Sequence, residues 1–287
     1  MLFKKVTVHR YLGVLVLIFA LDAAAAQLPD TVSFPSRDGK TQLTGYLFKP
    51  KGAGPHPAIV MLHGRAGPYS TAAKGVYAAH TLSRRHQAWG EFWAERGYLA
   101  LHLDSFGPRG YAQGFPVNSY QDRPPAVSEQ TVRPLDAYGA LEYLRGRPDV
   151  IADRVGVQGW SNGAMTLLAT LADTAPGIAQ PTPQTGFRAA LALYPGCRAQ
   201  EKQNYRPYAP LLMLLASEDK EVSPVVCQRL AQQTLARGAE LEVVVYAGAQ
   251  HAFDDPGSTR QSREANRFAT VDSMRRAEAF FRRHLSH

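Results

Sequence analysis

Three side chains able to form a proton relay stand along this chain in the order serine, acid, histidine. Ser161 lies in Gly159-Trp160-Ser161-Asn162-Gly163, after the apolar run Arg154–Gln158 and before the helical run Ala164-Met165-Thr166-Leu167-Leu168-Ala169. A serine on a sharp strand-to-helix turn exposes its hydroxyl, and the flanking glycines keep side chains out of a crowded corner. The N-terminal amides of the helix then face the place where negative charge develops in acyl transfer. The competing reading is a tight turn with an inert serine.

The partners follow in the required chain order. Leu211–Ala216 is a continuous apolar run, as in a buried parallel strand, and it empties into Ser217-Glu218-Asp219-Lys220-Glu221. Asp219 therefore sits at the carboxyl end of a strand, where open α/β sheets place their sites. The next strand, Leu241–Tyr246, leads to Gln250-His251-Ala252-Phe253. In such a relay His251 takes the Ser161 proton, and Asp219 holds the imidazole tautomer and stabilises its charged form. Asp219 as a mere helix cap, or Glu218 as the acid, remain open alternatives. His63, His80 and His102 all precede Ser161 and break the order.

Acyl transfer also needs donors for an oxyanion. The backbone N–H of Asn162, next to the nucleophile, is one candidate. The strand Pro57–Leu62 runs into His63-Gly64-Arg65-Ala66-Gly67, and the Arg65 N–H is the candidate second donor.

The elements that must position these groups alternate between strand and helix, which predicts an α/β fold with a mainly parallel sheet covered on both faces. Val32–Pro35 and Gln42–Phe48 predict an N-terminal antiparallel hairpin turned at Asp38-Gly39. Core strands are expected at Pro57–Leu62, Tyr98–Leu103, Arg154–Gln158, Ala189–Tyr194, Leu211–Ala216 and Leu241–Tyr246. Helices are expected near Gln87–Arg96, Gln130–Arg145, Ala164–Ala172 and Pro224–Arg237. In the last helix, about Arg263–Leu285, the residues Phe268, Val271, Met274, Phe281 and Leu285 form an expected core stripe. Two long connections, Arg65–Gln87 and Phe106–Ser128, leave carboxyl ends of strands and should border the site. Tyr69, Phe106, Arg109 and Tyr111 in them are candidate substrate contacts, with a salt bridge inside its own loop as the other role for Arg109.

The elbow, the Ser217–Pro224 loop, Gln250-His251-Ala252-Phe253 and Asp104-Ser105-Phe106-Gly107-Pro108-Arg109-Gly110 together resemble the dienelactone hydrolase family, from about Val32 to the C-terminal helix. The resemblance implies an α/β-hydrolase fold in one domain, no cofactor, and nucleophile, acid and base roles for Ser161, Asp219 and His251. The chain departs from the best-studied members at three places. They use a cysteine where this chain has Ser161, a carboxylate where it has Gly64, and an arginine where it has Asp254 and Asp255. The departures point away from dienelactone and toward a general ester or lactone. A serine alcohol, unlike a thiolate, needs the full relay to be activated. A peptidase on the same fold and an inactive binding protein on a hydrolase scaffold are the alternatives.

The N-terminus combines Lys4, Lys5 and Arg10, the apolar run Tyr11–Leu21 and Ala23-Ala24-Ala25-Ala26. That is the pattern of a cleavable signal peptide over 1–26, cut after Ala26, leaving one domain over 27–287 in the periplasm or outside the cell. The apolar run is short for a bilayer span, so no stable membrane insertion is expected after cleavage. Cys197 and Cys227 are the only cysteines. In an oxidising compartment they can pair, because they follow strands expected to be neighbours, although two separate buried thiols would also fit. Neither has metal-ligand spacing around it. The net charge of +8 is spread along 287 residues without a nucleic-acid motif. A small-molecule substrate is the expected partner.

Overall fold

The computed structural model describes residues 28–286. The expected signal peptide lies outside them. Eight strands form one sheet: β1 (Asp30–Pro35), β2 (Gln42–Phe48), β3 (His56–Leu62), β4 (Leu99–Asp104), β5 (Val150–Trp160), β6 (Ala190–Leu193), β7 (Leu211–Ala216) and β8 (Leu241–Tyr246). Their order is β1-β2-β4-β3-β5-β6-β7-β8. β1 pairs antiparallel with β2, β2 antiparallel with β4, and the remaining pairs are parallel.

Both faces of the sheet are buried, and alternation along β3 shows how. Ala58, Val60 and Leu62 enter one core, while Ile59 and Met61 enter the other. The first core is closed by α2 (Arg133–Arg145), α3 (Asn162–Leu171) and α5 (Pro224–Leu235), through Ala137, Leu141, Leu167 and Leu230. The second is closed by α1 (Arg84–Glu95) and α7 (Glu264–Leu285), through Trp89, Trp93, Ala277 and Phe281. Helix α1 starts three residues before its expected first turn because the Ser83 hydroxyl accepts the His86 N–H and caps it.

The chain passes from β3 outward to β4, then back across β3 to β5. Strand order therefore reverses between β3 and β5, and open α/β sheets bind ligands at such a switch point. Leu62 and Gly159 are register partners there. Their two following loops, at His63–Gly67 and at Ser161, must emerge side by side.

The stripe expected on α7 is corrected. Phe281 and Leu285 are buried, but Phe268 is 65% and Val271 71% exposed. At about 100° per residue Phe268 lies about 140° around the helix from Phe281. The buried face runs instead through Asn266, Ala269, Ser273, Ala277 and Phe280, where small residues let the helix approach the sheet closely.

Cys197 and Cys227 are joined in a disulfide. Cys197 follows β6 and Cys227 lies on α5, directly after the Asp219 loop. Closing about 30 residues removes roughly 3–4 kcal/mol of chain entropy from the unfolded state. Cys197→Ser should lower the unfolding free energy by about 3 kcal/mol in urea titration, with a smaller loss of activity. Equal stability of mutant and parent would show that the bridge does not hold the fold together.

Candidate active site

Each sequence-predicted group is delivered by the end of a strand. β5 runs into Ser161, and α3 begins at the next residue. Ser161 has φ 51°, a left-handed conformation that costs a non-glycine residue of order 1 kcal/mol or more. The surroundings enforce it. A Cβ on Gly163 would stand 2.0 Å from the Leu62 carbonyl oxygen, and one on Gly159 would stand 2.5 Å from the Gly163 carbonyl oxygen. The helix thus crosses the end of β3 at backbone contact, which only glycine permits.

The Ser161 Oγ lies 2.9 Å from His251 Nε2, and His251 Nδ1 lies 2.6 Å from Asp219 Oδ2. The other Asp219 oxygen accepts the N–H groups of Glu221 and Val222, at 2.8 and 3.0 Å. Asp219 is therefore held through both carboxylate oxygens and aimed at the ring. Glu218 is not part of this chain of contacts; it faces solvent and pairs with Arg263 at 3.2 Å. Of the other histidines considered, His80 is exposed, whereas His63 and His102 are buried.

Arg65 and Asn162 stand on the two loops that meet at the switch point. Arg133 ties these loops together and was not evident from sequence. This fully buried guanidinium donates to the Asn162 Oδ1 at 2.5 Å and to the His63 carbonyl at 2.8 Å. Burial lowers its pKa to about 10, against the nearby carboxylates of Asp136 and Glu129 that raise it, so it stays charged at neutral pH. The Asn162 amide in turn donates to Glu129 at 3.2 Å.

Asp254 was likewise not evident. Its buried carboxylate accepts the indole N–H groups of Trp89 and Trp160, both at 2.9 Å, and the Tyr194 hydroxyl at 2.5 Å. Trp160 immediately precedes Ser161. The Tyr194 ring packs edge-on against His251 with centroids 4.8 Å apart. One carboxylate thus braces both the Ser161 turn and the His251 ring. Glu221 is a third such residue: its Oε2 lies 3.7 Å from His251 Nε2.

Expectations for substrate contacts need correction. Arg109 forms a double ion pair with Asp136 and a further one with Asp38, and its side chain is nearly buried. Tyr69 is buried, bonded through its hydroxyl to Tyr46 and Asp104. Phe106 is fully buried against His63 and beneath Arg133. These three hold the loops in place. Tyr111 is half-buried, beside Phe115. Arg65 reaches with its side chain to Glu221 and to the Phe115 carbonyl.

Behind the site, His63, His86 and His102 are packed in the core. His63 is neutral in its bonding: the Ser105 N–H donates to Nε2, so Nδ1 carries the proton and donates to the Gly64 carbonyl. Neither ring nitrogen of His102 finds a partner among the described residues. Burial, followed by the charges of Arg85 and Arg133, lowers the His102 pKa to about 3, and burial lowers His63 and His86 well below the usual value. These rings are neutral when folded but titrate near pH 6.5 when unfolded. Their contribution is present above that pH and lost as pH falls below it, for His102 over the window down to about 3. Each one steepens the loss by up to about 1.4 kcal/mol per pH unit. Urea unfolding between pH 6 and 4 should show this slope, and His102→Leu should reduce it by about one proton. An unchanged slope in that variant would mean that His102 is not the group responsible.

Among the described residues no group of three or more His, Cys, Asp or Glu could hold a metal ion, and no helix is long and apolar enough to cross a membrane.

The fold has counterparts among solved structures. A putative dienelactone hydrolase from Klebsiella pneumoniae superposes with a TM-score of 0.63 at 18% identity, over 88% of this chain and 98% of that one. A dienelactone hydrolase-like promiscuous phosphotriesterase from metagenomic libraries gives 0.63 at 18%, over 90% and 99%. Esterase 2 of Thermogutta terrifontis, phosphonylated by cyclosarin, gives 0.61 at 17%, over 88% and 94%. These likenesses establish a shared fold. The sequence itself matches the dienelactone hydrolase family over residues 43–285, so this chain belongs to the dienelactone hydrolase family of ester-cleaving α/β-hydrolases.

Proposed function

We propose that the chain is an exported serine esterase, cleaving carboxylic esters or lactones through an acyl-Ser161 intermediate. The observation that carries this reading is the unbroken contact from Ser161 Oγ through His251 to Asp219, on a strained strand-to-helix turn. In the first half-reaction His251 Nε2 removes the Ser161 proton as Oγ attacks the ester carbon. The N–H groups of Asn162 and Arg65 receive the oxyanion, and the Asn162 N–H stands in the first turn of α3, where no intrahelical acceptor exists. The imidazolium then protonates the departing alcohol. In the second half-reaction water repeats the sequence and releases the acid.

Export is supported by the N-terminal pattern and by the disulfide. On this reading residues 27–287 form one domain. A fluorophosphonate probe tests the nucleophile: mass spectrometry should find a single adduct on Ser161. An unlabelled, folded protein would favour a binding function on the same scaffold.

A further inference from the structure

The second carboxylate beside His251 has no place in the relay described above. Glu221 follows the acid by two residues, and its Oε2 lies 3.7 Å from His251 Nε2, the nitrogen that faces Ser161. The side chain is held there. Arg65 Nε is 3.0 Å from Glu221 Oε2 and Arg65 Nη2 is 3.3 Å from Oε1, while Arg65 Nη1 donates to the Phe115 carbonyl at 3.1 Å. The pair is about one-quarter exposed, so water reaches it. Partial burial pushes the Glu221 carboxyl up, but the Arg65 hydrogen bond, with the neighbouring His251, outweighs this and holds it below its usual value. It is ionised at neutral pH.

In the free enzyme Ser161 Oγ satisfies Nε2. Once acylated, Oγ is an ester oxygen with no proton to donate, and Nε2 needs another donor. A water at ordinary hydrogen-bond distance, about 2.8 Å, from both Nε2 and Glu221 Oε2 closes a triangle with the 3.7 Å separation. One hydrogen points at Nε2 and the other at the carboxylate.

Resting on the acyl-Ser161 reading, we propose that Glu221 is a catalytic residue of deacylation, which holds the attacking water beside His251. The water oxygen attacks the acyl carbon while Nε2 takes one of its protons, and the carbonyl pair moves onto the oxyanion. Glu221 keeps the second hydrogen oriented and takes no proton itself. As the oxyanion collapses, the bond from carbon to Oγ breaks, Oγ regains the proton from Nε2, and the carboxylic acid departs. Arg65 offsets the Glu221 charge, which would otherwise repel the oxyanion.

The test separates the two half-reactions. With p-nitrophenyl acetate in stopped flow, Glu221→Gln and Glu221→Ala should slow deacylation by about ten- to a hundredfold, as loss of orientation does. The acylation burst and the rate of fluorophosphonate labelling should stay within about twofold. Acyl-enzyme should accumulate and be visible by intact mass. An equal fall of both half-reactions would mean that Glu221 only holds the Arg65 loop, and unchanged deacylation would also overturn the role. Absence of burst and of Ser161 labelling in the parent protein would overturn the acyl-enzyme reading together with it.

Discussion

Ser161→Ala and His251→Ala are each expected to reduce turnover of a p-nitrophenyl ester by a factor on the order of a million, with the fold intact. On the acyl-Ser161 reading the two side chains, in contact at 2.9 Å, act as one unit, so the double variant should be scarcely worse than either single one. Circular dichroism and a urea titration secure the folding control. The Ser161 side chain is small, and alanine at this turn leaves the packing of Gly159 and Gly163 unchanged. Retention of more than a few per cent activity in folded Ser161→Ala would remove the serine from the mechanism. Asp219→Asn should cost about ten-thousandfold by presenting the wrong tautomer to the ring. Glu218→Gln should cost almost nothing, because Glu218 pairs with Arg263 on the surface. The reverse ranking would transfer the acid role.

Asp254→Asn is expected to cost about 3–5 kcal/mol of stability, the range for breaking a buried charged network by removing one partner. The carboxylate is acceptor-only and receives three donors, two of them indole N–H groups that can do nothing but donate. An asparagine offers one acceptor oxygen: turned to the indoles, it leaves its amide against the Tyr194 hydroxyl, which already accepts from Arg85, and turned to the hydroxyl, it leaves both indoles unpaired. Each orphaned buried donor costs about 1–3 kcal/mol. Arg85, 3.9 Å from Asp254, would lose its counter-charge as well. Denaturant unfolding with an unchanged m-value measures the loss. A double-mutant cycle with Trp160→Phe should recover part of it, since one of the orphaned donors disappears. A loss below about 1 kcal/mol would show that the cluster is not a coupled unit. Activity should fall too, because Trp160 immediately precedes Ser161 and Tyr194 backs the His251 ring.

Much of this protein was legible in the chain itself. The elbow depends on residues 159–163 and their immediate neighbours, so strand, glycines and helix start can be read in one stretch. Asp219 and His251 could be placed because each follows an apolar strand, and strand ends are where a parallel sheet puts its loops. The sequence also placed the two cysteines after neighbouring strands. What it did not reveal were the partners of long side chains. Arg133 meets His63, 70 positions away; Asp254 meets Trp89, 165 positions away; and Arg65 meets Glu221, 156 positions away. The buried face of α7 was not legible either, because ahead of Phe280 small residues, Ala269, Ser273 and Ala277, rather than Phe268 and Val271 turn inward. Backbone geometry and apolar periodicity are set by near neighbours along the chain. The choice of a buried charge's partner is set by which element ends the packing brings within about 3 Å, and that is decided only when the sheet and its helices close.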